Sequence, residues 1–405
     1  MIKFLVNTFF LRIIFLNGLI VAFIKLLGIS YPTSPINLIT IFFTPIFVYY
    51  FLSSKSTLTK NGIAFYLFFL ICRFFIIGDF NPTDTFGLFH IILALTSFYY
   101  FFTVNINTKI KNLLVFKNYT YFFMALFLLQ YLFYSILPKA FTEIPNLFFD
   151  VGVDKYTRNI NGDTFYRPNG LIGNPITFGF VLNIFLLIEI AFYKSKSDSR
   201  VKHYLITSSL LIMIFLLFSR ANFIFAFLLL TLPYIKRKNI MRILFSITIL
   251  LLSFSYFNDV FYTLSSSYRY MSDRLSGNDD YASSSTLEHL GDYLKAYNYF
   301  IENPILGVSH FEIINKEIIT DGAIPILILQ NGTIGFMILL LYYLNHSKNY
   351  FKKRDNHLNK MFFIFSILLI PYCILNSALL NKGVFLIVFV LLGLTSNLFY
   401  TKAIK

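Results

Sequence analysis

The sequence predicts an all-α, polytopic integral membrane protein of about twelve transmembrane helices, with one large extracytoplasmic loop containing a short amphipathic helix. Three observations predict it. The 405 residues are 57% hydrophobic and 13% charged, with a mean hydropathy of +0.68, more apolar surface than a water-soluble protein hides in one core. Apolar runs of about 17 to 25 residues recur from end to end, each long enough to cross about 30 Å of hydrocarbon. The runs are continuous and do not alternate at every second residue, which selects helices over barrel strands. The chain, 1–405, therefore reads as a single membrane domain.

In chain order, the expected spans are 8–28, 36–53, 61–78, 86–104, 119–137, 171–193, 204–219, 221–235, 243–261, 324–344, 361–378 and 383–400. No small-residue cleavage pattern follows the first run, so it reads as a retained helix and not a secretory signal. Cys72 and Cys373 lie inside apolar runs, where a thiol behaves as a small hydrophobe; neither a disulfide framework nor a metal site is expected. The net charge of +15 does not point to nucleic acid, because its distribution sets topology. Lys55 and Lys60, then Lys109, Lys111 and Lys117, then Lys194 to Lys202, Lys236 to Arg242, and Lys348 to Lys360 fall in every second loop. These loops and both termini are read as cytoplasmic. The intervening loops carry Asp79, Asp84, Glu143, Asp150, Asp154 and Asp163 and face outward. Parity then requires 204–235 to be a hairpin turning at Ser219, Arg220 and Asn222.

Two outer connections are long, 138–170 and 258–323, and loops of that length are usually functional. In the larger, Leu287, Leu290, Leu294, Tyr297 and Ile301 share one helical face, while Glu288, Asp292, Lys295 and Glu302 share the other. Ser285 and Glu288 form a capping-box pattern and Pro304 ends the segment, predicting a helix over 285–303 at the outer membrane surface.

Arg167, in FYRPNGLIGNP, stands just before a span, where a guanidinium clamps phosphate through two parallel hydrogen bonds or merely snorkels to the interface. Arg220 sits at the tip of an almost wholly apolar hairpin, where an arginine either serves a function or marks the turn. Arg269 and Arg274 precede a serine-rich stretch in the large loop. Glu288, His289, Asp292, His310 and Asp321 have side chains able to act as bases or simply to be solvated. No metal-ligand spacing, nucleotide-binding glycine loop or nucleophile elbow is present, so neither a metal nor another cofactor is expected.

An outer arginine before a span, an apolar hairpin with an arginine tip, then a long loop with a helix, an NPILGV turn and a glycine-flanked span follow in order. With FYRPNGLIGNP, LLFSRANF, and AYNYFIENPILGV followed by DGAIPILILQNGTIGF, residues 160–345 resemble the O-antigen polymerase and ligase superfamily, membrane glycosyltransferases of the Wzy and WaaL kind. The resemblance implies polymerisation of undecaprenyl-pyrophosphate-linked repeat units at the outer face of the bacterial cytoplasmic membrane. It implies work beside a flippase and a chain-length regulator. By motif position it gives pyrophosphate or anionic glycan to Arg167, Arg220 and Arg269. In the ligase branch a histidine precedes the span after the large loop; Asp321 stands there here, which favours polymerase over ligase. The alternatives are a ligase-type glycan transferase and a lipid-linked oligosaccharide flippase. Transporters of that kind usually have short loops and polar residues within their spans, whereas here only Arg73 is clearly mid-span.

Overall fold

A computed structural model describes residues 9–26, 35–77, 81–136, 157–160, 163–170, 172, 174–193, 200–217, 219–234, 291, 293–316, 318, 322–352 and 357–396. Its helices are α1 (Phe10–Leu26), α2 (Pro35–Ser53), α3 (Leu58–Ile77), α4 (Pro82–Thr103), α5 (Ile106–Ile136), α6 (Pro175–Phe192), α7 (Arg200–Leu216) and α8 (Arg220–Thr231). After these come α9 (293–302), α10 (His310–Asn315), α11 (Ala323–Lys352), α12 (His357–Leu375) and α13 (Lys382–Thr395). Seven of them, α2 to α6, α11 and α12, are long and apolar enough to cross a membrane. The shorter α1, α7, α8 and α13 occupy four more of the expected spans, and 243–261 lies outside the described residues.

Consecutive spanning helices alternate in direction, as their end contacts show. Near one end Arg167 meets Leu217, Asn222 meets Tyr372, and Asn381 meets Ile172. At the other, Glu189 meets His203, Lys360 meets Pro233, and Lys109 meets Phe102 and Ser396. The basic residues Lys60, Lys109, Lys117, Lys202 and Lys360 belong to this second end. Four helix N-caps lie at the first end. Asn81, Asn174, Ser219 and Asn381 each accept a backbone N–H of the following first turn, and proline follows Asn81 and Asn174 at the first helical position, where no N–H is needed.

The central helix is α6, buried from Thr177 to Phe192 and apolar on every side apart from Thr177, Asn183 and Glu189. The peripheral α3 turns Phe65, Phe68, Phe75 and Ile76 outward, as a helix with lipid for solvent should. The expected turn at Ser219 is present. Helix α7 runs from His203 beside Glu189 to Leu217 beside Arg167, and α8 returns from Asn222 beside Tyr372 to Pro233 beside Lys360.

Three expectations need correction. Lys109, Lys111 and Lys117 do not lie in a loop: α5 starts at Ile106, capped by Asn105, and Lys109 is buried against the carbonyls of Phe102 and Ser396, at the C-terminal ends of α4 and α13, where helix dipoles favour a cation. The span at 324–344 is not continuous, because α11 breaks at Gly332, with φ 61° and ψ −177°. The fold is not purely α: β1 (Thr157–Ile160) and β2 (Asp163–Tyr166), in the first outer loop, pair antiparallel. The two residues joining them, Asn161 and Gly162, are the pair most favoured in two-residue hairpin loops.

Candidate functional site

The break in α11 is filled by the NPILGV turn that follows α9. Val308 N donates to the Leu329 carbonyl at 2.8 Å, and Thr333 donates to the Pro304 carbonyl through both its backbone N (2.8 Å) and its Oγ1 (2.7 Å). Backbone groups released by the broken helix are thereby satisfied by a distant segment, which is what an apolar surrounding demands. Arg73 of α3 fixes the same turn from the other side, its Nε donating to the Leu306 carbonyl and its Nη2 to the Val308 carbonyl, each at 2.6 Å.

This clamp places Ser309 and His310 at the wall of a cavity of about 160 Å³, between α3, α4, α10, α11 and α13. Its polar lining includes Arg73, Asp84, His90, His310, Gln330 and Lys382, in a predominantly apolar wall. Asp84, in the first turn of α4, is held by Asn81 at 2.8 Å and accepts the Phe311 N–H at 3.1 Å, so it also caps α10. Lys382 donates to Asn37 at 3.1 Å. Gln330 donates an amide hydrogen to His310 Nδ1 at 2.7 Å, which leaves the proton of the neutral ring on Nε2, a hydrogen-bond donor. Burial lowers the His310 pKa below its usual 6.5; nearby Asp84 works against that and Lys382 with it. Two cations, two imidazoles, an amide and one carboxylate thus meet in a largely apolar cleft, a composition suited to orienting an anionic or polyhydroxylated group.

Arg167 is 4% exposed, and its Nε donates to the Leu217 carbonyl at 2.7 Å. That bond joins FYRPNG to LLFSRANF. Around it, Gln130 donates to Asn169 Oδ1 at 2.9 Å and accepts the Gly170 N–H at 3.0 Å. Asn222 donates to the Ile176 carbonyl at 2.9 Å and accepts the Tyr372 hydroxyl at 2.8 Å. Arg220 opens α8 directly after the Ser219 cap. Asn381 ties this cluster to the cleft: its amide donates to the Ile172 carbonyl at 3.0 Å, while the next residue, Lys382, lines the cavity.

Among the expected site residues, the structure therefore brings Arg167, Arg220 and His310 to one end of the bundle. Arg269, Arg274, Glu288, His289, Asp292 and Asp321 lie outside the described residues. Next to Asp321, Gly322 packs so closely on α12 that a Cβ would stand 2.1 Å from the Ile374 carbonyl oxygen. Sequence reasoning passed over Gln330 and Lys382, used Asp84 only as a marker of an outer loop, and noted Arg73 without a role. The signals were there: a charge inside an apolar run, and Asn-Pro-x-Asp at a span entrance. It also missed Glu189, buried at the opposite end with His203 at 3.3 Å and Lys117 at 3.8 Å.

These features define a multi-pass helical membrane protein with a polar cleft at one end of its bundle. No family model, curated protein or solved structure matches the chain.

Proposed function

We propose that this protein is a Wzy-type polysaccharide polymerase, which joins oligosaccharide repeat units carried on undecaprenyl pyrophosphate at the outer face of the bacterial cytoplasmic membrane. On this reading the chain crosses twelve times with both termini cytoplasmic, and the end bearing the cleft faces outward. The acceptor hydroxyl displaces undecaprenyl pyrophosphate from the anomeric carbon of the donor glycan, and the glycosidic bond forms as the carbon–phosphate-oxygen bond breaks. The leaving group needs charge stabilisation, which fixed cations supply without reorganisation. Arg220 and Arg167 take that role, with Arg269 and Arg274 as further anion contacts. Asp321 accepts the proton of the acceptor hydroxyl. Glu288, His289 and His310 contact the glycan, His310 as a donor from Nε2.

One observation carries the reading. Stretches that resemble the polymerase and ligase superfamily meet in pairs at one end of the bundle, Arg167 on Leu217 and Val308 on Leu329, while Asn381, from outside those stretches, bonds Ile172 beside a cleft lined by Arg73 and Lys382.

The test is polysaccharide chain length in cells carrying Arg167→Ala, Arg167→Lys, Arg220→Ala or Arg220→Lys, at matched levels of folded protein. Loss of a charge-assisted contact made in the transition state costs on the order of 2–4 kcal/mol, about thirtyfold to nine-hundredfold in rate. Alanine should abolish long polymer, and lysine should restore it only in part, since it lacks the planar fork. Full-length polymer from both alanine variants contradicts the assignment.

A further inference from the structure

Helix α9 was expected to have two faces, and it has three. At ~100° of turn per residue, Ala296 and Tyr299 are buried, with Tyr293 and Phe300 half-buried beside them; this sector rests on the protein, against Val308, Ile313, Ile326 and Leu329. Lys295, Asn298 and Glu302 form an exposed polar sector. Between the two lies an exposed apolar sector of Leu294, Tyr297 and Ile301, which are 54%, 59% and 55% accessible. A helix in water would have no reason to separate its exposed residues into an apolar and a polar strip. One lying at a bilayer edge has protein on one side, lipid on the second and water on the third.

The apolar strip does not end with the helix. Ile305, in the turn that follows, is 61% exposed, and its carbonyl receives the Ile334 N–H of α11 at 3.4 Å. From Ile334 the exposed residues Met337, Leu341 and Leu344 continue along one stripe of a helix long and apolar enough to span. What covers that stripe in a membrane is acyl chain, and the α9 strip is its extension beyond the break at Gly332.

We infer that α9 is an interfacial helix whose Leu294, Tyr297 and Ile301 enter the acyl-chain margin of the bilayer while Lys295, Asn298 and Glu302 stay at headgroup level. Arg73 and the backbone lock between Pro304 and Thr333 connect it rigidly to the cleft, so α9 sets the cleft at headgroup depth. This holds whatever group the cleft takes.

The chain contains no tryptophan, so one introduced indole is a unique reporter. The full-length protein is reconstituted in phosphatidylcholine–phosphatidylglycerol vesicles with Leu294→Trp, Tyr297→Trp or Ile301→Trp, and with Lys295→Trp or Asn298→Trp for comparison. All five positions are exposed, so the fold tolerates each. Phospholipids brominated near the top of the acyl chain should quench the first three severalfold more than the last two, and aqueous acrylamide should quench in the reverse order. Equal acrylamide quenching at all five would put the helix in water and overturn the inference. Protection of the first three from both quenchers would mean that protein covers the strip, and would overturn it equally.

Discussion

Gly307 and Gly332 lie backbone against backbone, both with positive φ. A Cβ on Gly307 would stand 2.1 Å from the Leu329 carbonyl oxygen, and a Cβ on Gly332 would stand 2.1 Å from the Ile305 carbonyl oxygen. The two glycines let the NPILGV turn plug the broken helix. Each alanine substitution holds a side-chain-bearing residue at positive φ, a strain of about 1–3 kcal/mol, and the clash forces the two segments apart. Gly307→Ala and Gly332→Ala should therefore lower the unfolding temperature in detergent and reduce folded yield. Gly291→Ala, where nothing lies within 4 Å, should not. Unchanged melting of both inner variants by size-exclusion after heating would show that the lock is dispensable.

The cleft should respond to acid through His310. Its folded pKa is below the usual 6.5, so the unfolded chain takes up a proton first as pH falls. Stability from the neutral ring is present above about 6.5 and is lost as pH drops through the lower folded value. Arg73 and Lys382 line the same cavity and oppose the new charge, while Asp84 favours it. Between pH 7 and pH 5 the wild type should lose more thermal stability than His310→Gln. Parallel pH dependence in the two proteins would remove His310 as the titrating group.

At the opposite end Glu189 joins three helices, accepting from His203 of α7 and facing Lys117 of α5. It is 2% exposed, so removing its charge leaves Lys117 without its carboxylate in a nearly dry site. A broken buried pair costs on the order of 3 kcal/mol. Glu189→Ala should lower the midpoint of thermal unfolding sharply and Glu189→Gln less, because glutamine still accepts from His203. Wild-type stability of Glu189→Ala would mean that the carboxylate is not holding these helices.

What was legible in the sequence follows from where the compensation for each feature lies. An unbroken span satisfies its own backbone and is apolar over most of its length, so α2, α3 and α12 begin within a few residues of the expected spans. The turn between α7 and α8 was legible from the charge pattern and from Ser219 at the cap position. Lys109 misled because its ammonium finds its acceptors at Phe102 and Ser396, and a charge buried through tertiary contacts reads locally as a loop. The break at Gly332 was hidden for the same reason: its missing partners are supplied by Pro304, Ile305 and Val308, in a different segment. Of the candidate site, Arg167, Arg220 and His310 were found as isolated polar residues. Asp84, Gln330 and Lys382 join them only through packing, which spacing along the chain does not encode.

Polymerisation of lipid-linked repeat units is tested by a clean in-frame deletion in the native host, complemented by the wild-type chain, with surface and lipid-linked glycans separated by length. The deletion strain should make glycan capped at a single repeat unit, and the wild-type chain should restore the long ladder. Lipid A core bearing no glycan, with long polymer still held on the lipid carrier, would indicate a ligase and contradict it. So would repeat units trapped on the cytoplasmic face, the mark of a flippase, or an unchanged ladder.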